Sequence, residues 1–153
     1  MPNGIGSSPM ITQKIEAIFA GQNVGDGDVD VDGVLEALER LKSVATKADL
    51  PELVAAIQSP RNSFWTRELF AEPISELGGS DYLEVLLEAD QLGLNEGHDN
   101  NSLHSSLNEI AYSEPEKCRA KLKELLARPD FKYQEAARWL LEFCKNDNHD
   151  GAA

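Results

Sequence analysis

The stretch TRELFAEPISELG, from Thr66 to Gly78, decides the predicted fold of this chain. Its apolar residues recur at the spacing of an amphipathic helix, and it closes on a glycine that is typical of a helix end. Weaker copies of the pattern follow at LHSSLNEIA (Leu103 to Ala111) and YQEAARWLLEF (Tyr133 to Phe143). Each copy follows another apolar helical segment, so the pattern predicts stacked helix pairs. Such stacks present a long surface to a partner, which favours binding over catalysis.

Helix start and stop signals divide residues 49–144 into three of these pairs. Asp49 with Glu52, and Ser113 with Glu116, have the spacing of capping boxes at two helix starts. No segment alternates convincingly as a strand, so the predicted fold class is all-α. The residues predicted to face the core share helical spacing within each segment, and they are Ile11, Ile15, Ile18 and Phe19; Leu35, Leu38, Leu41 and Val44; Leu50, Leu53, Val54 and Ile57; Tyr82, Leu83, Leu86 and Leu87; Leu103, Leu107, Ile110 and Ala111; Cys118, Leu122, Leu125 and Leu126; and Tyr133, Ala136, Ala137, Leu140 and Cys144.

Composition predicts how the 153 residues are organised. Residues 1–9 indicate a disordered lead, 10–48 N-terminal helices with an acidic loop, 49–144 the three helix pairs, and 145–153 a disordered tail. The start MPNGIGSSPM lacks the charged and apolar regions of a signal peptide. No apolar run approaches the ~18 residues of a membrane span, so we expect no membrane contact and a cytoplasmic location.

The second helix of each pair resembles the HEAT-repeat family, including its short bacterial type, over residues of about 49–144. In the first copy the matching residues are Thr66, Arg67, Leu69, Phe70, Ala71, Ile74, Leu77 and Gly78. In the other copies His104 and Gln134 stand where the family pattern has arginine. The resemblance implies a short right-handed stack of antiparallel helix pairs, a HEAT-like α-solenoid of about seven or eight helices.

The charge balance indicates the kind of partner. The chain has 27 acidic and 14 basic residues, a formal net charge of −13 and a pI near 4.5. A field of this sign repels nucleic acid and anionic membranes and attracts basic proteins. We therefore expect a basic protein partner and no nucleic acid.

In HEAT-like stacks the second helices line the concave face, and the resemblance implies that a partner binds there. A plainly solvated helix face is the alternative for its charged residues. Both tryptophans fall away from the centre of their apolar stripes, and tryptophan is enriched at binding hot spots. The predicted partner-binding residues are Trp65, Glu68, Glu72, Glu76, Asn108, Glu109, Glu135, Arg138, Trp139 and Glu142.

The stretch DVDVDGVLEALE, from Asp28 to Glu39, matches the spacing of an EF-hand calcium loop. Its predicted ligands are Asp28, Asp30, Asp32, the carbonyl of Val34, and Glu39. The branched Val31 and the lack of a second copy weigh against calcium. The alternative is an acidic loop that caps the positive end of the following helix.

Other constellations do not indicate chemistry. His98, His104 and His149 have no metal-ligand spacing and are predicted to be solvated. Cys118 and Cys144 fall on apolar helix faces and are predicted to be buried thiols. The sequence shows no phosphate loop and no nucleophile arrangement, so we expect neither an enzyme nor a cofactor.

The leading functional prediction is a non-enzymatic acidic module that captures a basic protein. Its sharper form is an immunity protein that inhibits a bacterial toxin such as a nuclease. Two alternatives stay open: a calcium-binding module acting through Asp28 to Glu39, and a HEAT-like accessory scaffold of an enzyme such as a bilin lyase.

Overall fold

The computed structural model describes residues 9–22, 30–97 and 101–152, which form helices joined by turns and loops, without strands. The all-α prediction is confirmed for these ranges, and neighbouring helices pack in pairs. The chain divides into two compact units, Met1–Leu77 and Gly78–Ala153. The α-helices are α1 (Pro9–Gln22), α2 (Val31–Val44), α3 (Leu50–Ile57), α4 (Phe64–Gly78), α5 (Leu83–Asn95), α6 (Asn101–Ser113), α7 (Pro115–Ala127) and α8 (Gln134–Ala152). Short 3₁₀ helices span Lys47–Asp49 and Gly79–Tyr82.

The core of the first unit is built around α1, which packs closely on α2 and also contacts α3. All four apolar residues predicted to face inward from α1 are buried. The ring of Phe19 meets Phe70 of α4 with 5.4 Å between centroids, which brings α4 into the same core. The guanidinium of Arg61 lies 4.3 Å from the centre of the Phe19 ring and also pairs with Glu16 at 2.7 Å. Residues 1–8 of the predicted disordered lead lie outside the described residues.

The buried face of α2 differs from the prediction. Leu38 and Leu41 are buried as expected, but Leu35 and Val44 are 41% and 38% exposed. The inward positions beside the two leucines are taken by Val34 and Ala37. Successive residues turn about 100° around a helix, so a stripe centred on Val34, Leu38 and Leu41 carries Leu35 outward. The prediction of Leu35 and Val44 as core residues is therefore wrong, and it omitted the buried Val34 and Ala37.

Helix α4 contains Pro73 and continues past it to Gly78. A proline inside a helix removes one backbone hydrogen bond and costs about 3 kcal/mol. Burial of Phe70, Ala71 and Ile74 around it offsets this cost. The sequence pattern and the packing therefore agree on one helix, although local propensity opposes it.

Both predicted capping boxes are wrong. The carboxylate of Asp49 accepts a hydrogen bond from the backbone N–H of Thr46 at 2.8 Å, so it closes the preceding 3₁₀ turn. Ser113 is the last residue of α6, and α7 begins after Glu114 with Pro115 in its first turn. The Glu114 carboxylate accepts from both the backbone N–H and the hydroxyl of buried Ser80, at 3.0 and 2.7 Å. Asp49 therefore caps the preceding turn, three residues back, whereas Glu114 binds a tertiary partner 34 positions away.

The second unit is a cluster of four helices in which α7 packs closely on α8 and α6 packs on both. The apolar residues predicted to face inward from α6 are buried, and most of those on α5, α7 and α8 are too. Tyr82, Leu126 and Tyr133 are only half-buried. The hydroxyl of Tyr133 donates to Glu88 at 3.2 Å, which explains why its polar end stays at the surface.

Helix α8 reaches Ala152, whereas composition predicts a disordered tail from residue 145. Adding a residue to an existing helix costs much less than starting one, so the packed part of α8 can extend beyond Cys144. None of the helices within the described ranges combines the length and apolar content needed to cross a membrane.

The two cysteines meet in the core of the second unit. Cys118 of α7 and Cys144 of α8 are both free thiols and fully buried, which confirms the predicted burial. The hydrogen bond to Cys144, with burial as the second cause, raises the pKa of the Cys118 thiol far above its usual range. Both thiols are therefore packed core groups, and Cys118 keeps its proton in the folded chain.

This arrangement predicts a loss of stability at alkaline pH. In the unfolded chain Cys118 deprotonates near its ordinary pKa of 9.0, while in the folded chain it keeps its proton. The stabilisation is therefore complete below the unfolded pKa and declines above it, by up to about 1.4 kcal/mol per pH unit for one thiol. Urea unfolding between about pH 8 and about pH 10 should show a shallower decline for Cys118→Ala than for the wild type. Leu125→Ala, which also removes a buried side chain of α7, should keep the wild-type slope. Equal slopes for Cys118→Ala and the wild type would contradict the expectation.

Candidate functional site

The predicted partner-binding residues of the first unit lie on α4 but do not all face solvent. Glu68 is only 7% exposed, so its prediction as a surface contact is wrong. It lies one residue before the buried Leu69, within a turn that is buried all round.

Glu72 and Glu76 both face Lys42 of α2, at 2.9 and 3.5 Å. The hydrogen bond that Lys42 donates to the Glu72 carboxylate raises the pKa of Lys42. Trp65 is half-buried.

The predicted residues of the second unit lie on α6 and α8. Glu109, Glu135, Arg138 and Glu142 are exposed, as the prediction requires of contact residues. Arg138 donates to Gln134 at 3.2 Å along its own helix. Asn108 is half-buried, and its side-chain oxygen is enclosed without a hydrogen-bond partner. In this unit acidic side chains are therefore exposed along α8.

A cleft of about 260 Å³ opens in the second unit between α5, α6 and α8. We call it the α5–α6–α8 cleft. Its lining combines apolar, aromatic and acidic side chains, a composition typical of small binding sites. The residues are Asp90, Gln91, Leu94, His104, Glu135, Ala136 and Trp139.

A carboxylate lies buried in the lining of this cleft. Asp90 is only 2% exposed, and its Oδ1 lies 2.8 Å from Nε2 of His104. A buried carboxylate needs such a hydrogen-bonding partner. The prediction that His104 is solvated is wrong, because its ring is half-buried and engaged on two sides. Asp90 was missed, although it follows Leu83, Leu86 and Leu87 on the same helical stripe, and that spacing could have indicated its burial.

One wall of the α5–α6–α8 cleft is aromatic. The indole of Trp139 lies against the His104 ring, with 4.6 Å between centroids and 37° between planes. On the exposed side Phe143 meets the same indole edge-on at 5.1 Å. Contacts with two rings hold the tryptophan in one orientation, and a wall fixed in this way loses little freedom on binding. The predicted contact residues Glu135 and Trp139 thus lie in the same cleft.

Several basic side chains of the second unit are engaged by acidic ones. Arg128 forms a two-pronged pair with Glu84, at 3.0 and 2.8 Å, and also lies 3.4 Å from Asp130. The hydrogen bond to Glu84 raises the pKa of Arg128. Neither lysine nor arginine lines the α5–α6–α8 cleft. Its charged lining is thus acidic, apart from any charge on His104.

The acidic loop forms a helix start where the spacing predicts a calcium loop. Helix α2 begins at Val31, and the side chain of Asp30 caps it by accepting from the backbone N–H of Gly33 at 3.1 Å. Asp32, Val34 and Glu39 all lie within this helix, where a rise of about 1.5 Å per residue carries Glu39 well away from Asp30. Within the described ranges no group of three or more acidic, histidine or cysteine side chains is placed to hold a metal. Asp28 lies outside those ranges. The geometry therefore corresponds to the capping alternative.

Comparison with known proteins identifies no relative: no family model, no curated protein and no solved structure matches this chain.

Proposed function

We propose that this protein is a non-enzymatic, acidic protein-binding module that captures a basic protein. The observation that carries the proposal is the charge excess of the whole chain. With 27 acidic and 14 basic side chains, a formal charge of −13 remains after every internal pairing. A basic partner would neutralise this charge, and its attraction would speed encounter between the two proteins.

The distribution of charged groups in the described ranges supports the same proposal. Lys42, Arg61 and Arg128 are each held by carboxylates of their own unit. Glu109, Glu135 and Glu142 meanwhile extend from α6 and α8 into solvent. Carboxylates are therefore exposed along α6 and α8, where a basic partner could reach them.

The sharper form of the proposal is an immunity protein that blocks a basic bacterial toxin such as a nuclease. A nuclease binds the phosphates of its substrate through basic residues, and exposed carboxylates could occupy the same positions. The HEAT-like resemblance adds to this proposal, because stacked helices present the extended surface that such inhibition needs.

Affinity capture tests the proposal directly. The full chain is immobilised, exposed to extract from its native cells, and the captured protein is identified, purified and titrated. We expect a basic protein whose Kd rises about tenfold or more between about 0.05 and 0.3 M salt. The reason is that dissolved ions screen the electrostatic attraction between the two proteins. If the captured protein is a toxin, adding the full chain should abolish its activity at equimolar concentration.

Two charge-matched variants locate the interaction. The triple variant Glu109→Gln, Glu135→Gln and Glu142→Gln removes exposed carboxylates of α6 and α8. The control Glu36→Gln, Glu116→Gln and Glu124→Gln makes the same charge change on α2 and α7. We expect the first to weaken capture much more than the second. A captured protein that is not basic, or a Kd that does not change with salt concentration, would overturn the proposed function.

A further inference from the structure

We propose that the α5–α6–α8 cleft receives an arginine side chain of the basic partner, an assignment that rests on the proposed function. The guanidinium would lie against the indole of Trp139 and pair with the carboxylate of Glu135. The observations that point to this occupant are the volume of the cleft, its aromatic wall and the sign of its charged lining.

The cleft has the dimensions of a side-chain pocket. Its volume of about 260 Å³ lies below the roughly 300–1,000 Å³ of pockets that take drug-sized ligands. That space admits a guanidinium with part of its stem, and it is too small for a folded segment of a partner. Leu94 and Ala136 line the cleft beside Trp139 and would contact the methylenes of the stem.

The aromatic wall favours a planar cation. Tryptophan is the ring that attracts cations most strongly, and the guanidinium of arginine can stack flat against it. Contacts with His104 and Phe143 already fix the Trp139 ring, so little conformational freedom is lost when a cation binds. The ammonium of lysine is a compact, strongly hydrated charge that gains less from such a wall.

The acidic groups supply the charge complementarity. Glu135 is exposed on the first turn of α8 and lines the cleft, where its carboxylate can accept two parallel hydrogen bonds from a guanidinium. Asp90 adds a second carboxylate, which is held by His104 at 2.8 Å. The nearest arginine along α8, Arg138, donates to Gln134 and does not line the cleft.

Fluorescence titration with three small probes tests the assignment. The Trp65→Phe variant of the full chain leaves Trp139 as its one tryptophan, so the signal reports on the cleft alone. The probes are the N-acetylated amides of arginine, lysine and citrulline, the last being a neutral analogue of arginine with nearly the same shape. We expect the arginine probe to change Trp139 fluorescence, with a Kd at least about threefold tighter than that of the lysine probe. The citrulline probe should give no saturable change.

Two single variants then distinguish binding of the arginine probe in the cleft from its general electrostatic attraction to the acidic chain. Glu135→Gln should weaken the arginine probe about fivefold or more, whereas Glu124→Gln on α7 makes the same charge change and should leave its Kd within about twofold. Both positions are exposed, and an unchanged melting temperature would show that each variant is folded. Equal binding of arginine and citrulline, equal binding of arginine and lysine, or equal losses in the two variants would each overturn the assignment.

The same variants distinguish failure of this assignment from failure of the proposed function. If the arginine probe does not bind in the cleft while a basic protein is still captured in a salt-dependent way, the cleft assignment fails and the proposed function stands. If the arginine probe binds as expected but no basic protein is captured from the extract, the proposed function fails instead.

Discussion

Replacing Phe70 by alanine should lower the free energy of unfolding of this protein by about 3–5 kcal/mol. The Phe70 side chain is fully buried in the first unit and its ring meets Phe19 at 5.4 Å. The substitution removes both the transfer free energy of the ring and the packing around it, and it leaves a cavity that rigid helices fill poorly. Urea unfolding followed by circular dichroism measures the change.

The control for Phe70→Ala is a surface aromatic. Tyr112 on α6 is 74% exposed, so Tyr112→Ala should change the free energy of unfolding by no more than about 0.5 kcal/mol. Similar losses for the two variants would mean that Phe70 does not occupy the core described above.

Leu107→Ala should have the second-largest effect, with a loss of about 2–5 kcal/mol. Leu107 is fully buried on α6, the helix that packs against both α7 and α8. Because α6 also carries His104, loosening this core should disturb the wall of the α5–α6–α8 cleft. We expect the Trp139 fluorescence of a Trp65→Phe, Leu107→Ala variant to move towards that of an exposed indole, even where the protein remains folded.

Leu92→Ala provides the matched comparison for Leu107→Ala. Leu92 lies on α5, is 41% exposed and does not line the cleft. Its replacement should cost less than about 1 kcal/mol and leave the Trp139 emission unchanged. If Leu107→Ala were as mild as Leu92→Ala, the placement of α6 against α7 and α8 would be wrong.

Apolar periodicity predicted the helices because burial of a helical stripe is a local property of the sequence. The spacing of Ile11, Ile15 and Ile18 is enough to place one face of α1 inward, and the structure confirms it. The prediction for α2 was wrong at the edges of the stripe, where Leu35 and Val44 are exposed and Val34 and Ala37 are buried. Periodicity indicates a face, but the helix packed against it decides where that face is centred.

Cap residues were harder to assign, because a carboxylate can bind any nearby donor. Local spacing paired Asp49 with Glu52 and Ser113 with Glu116. In the structure Asp49 binds back to Thr46, and Glu114 reaches Ser80, 34 positions away. The Glu114 bond depends on helix packing, which local spacing does not encode, whereas the Asp49 bond is a competing local one.

The candidate site also combines residues that could be predicted from the sequence with residues that only helix packing brings together. Position along α8 was enough to nominate Glu135 and Trp139 as contact residues. The roles of Asp90 and His104 could not be predicted, because they lie on two other helices and meet only when these pack. Glu68 shows the converse, since helical spacing placed it outside while packing buried it.

The sequence by itself determined the helical class of this protein and the acidic character of its surface. Both are sums over local or compositional properties, and no particular packing is needed to infer them. Only the tertiary structure decided that Asp90, His104 and Trp139 share one cleft with Glu135. The physical reason is that apolar burial specifies that helices pack, whereas the fit between particular side chains decides which polar groups come together.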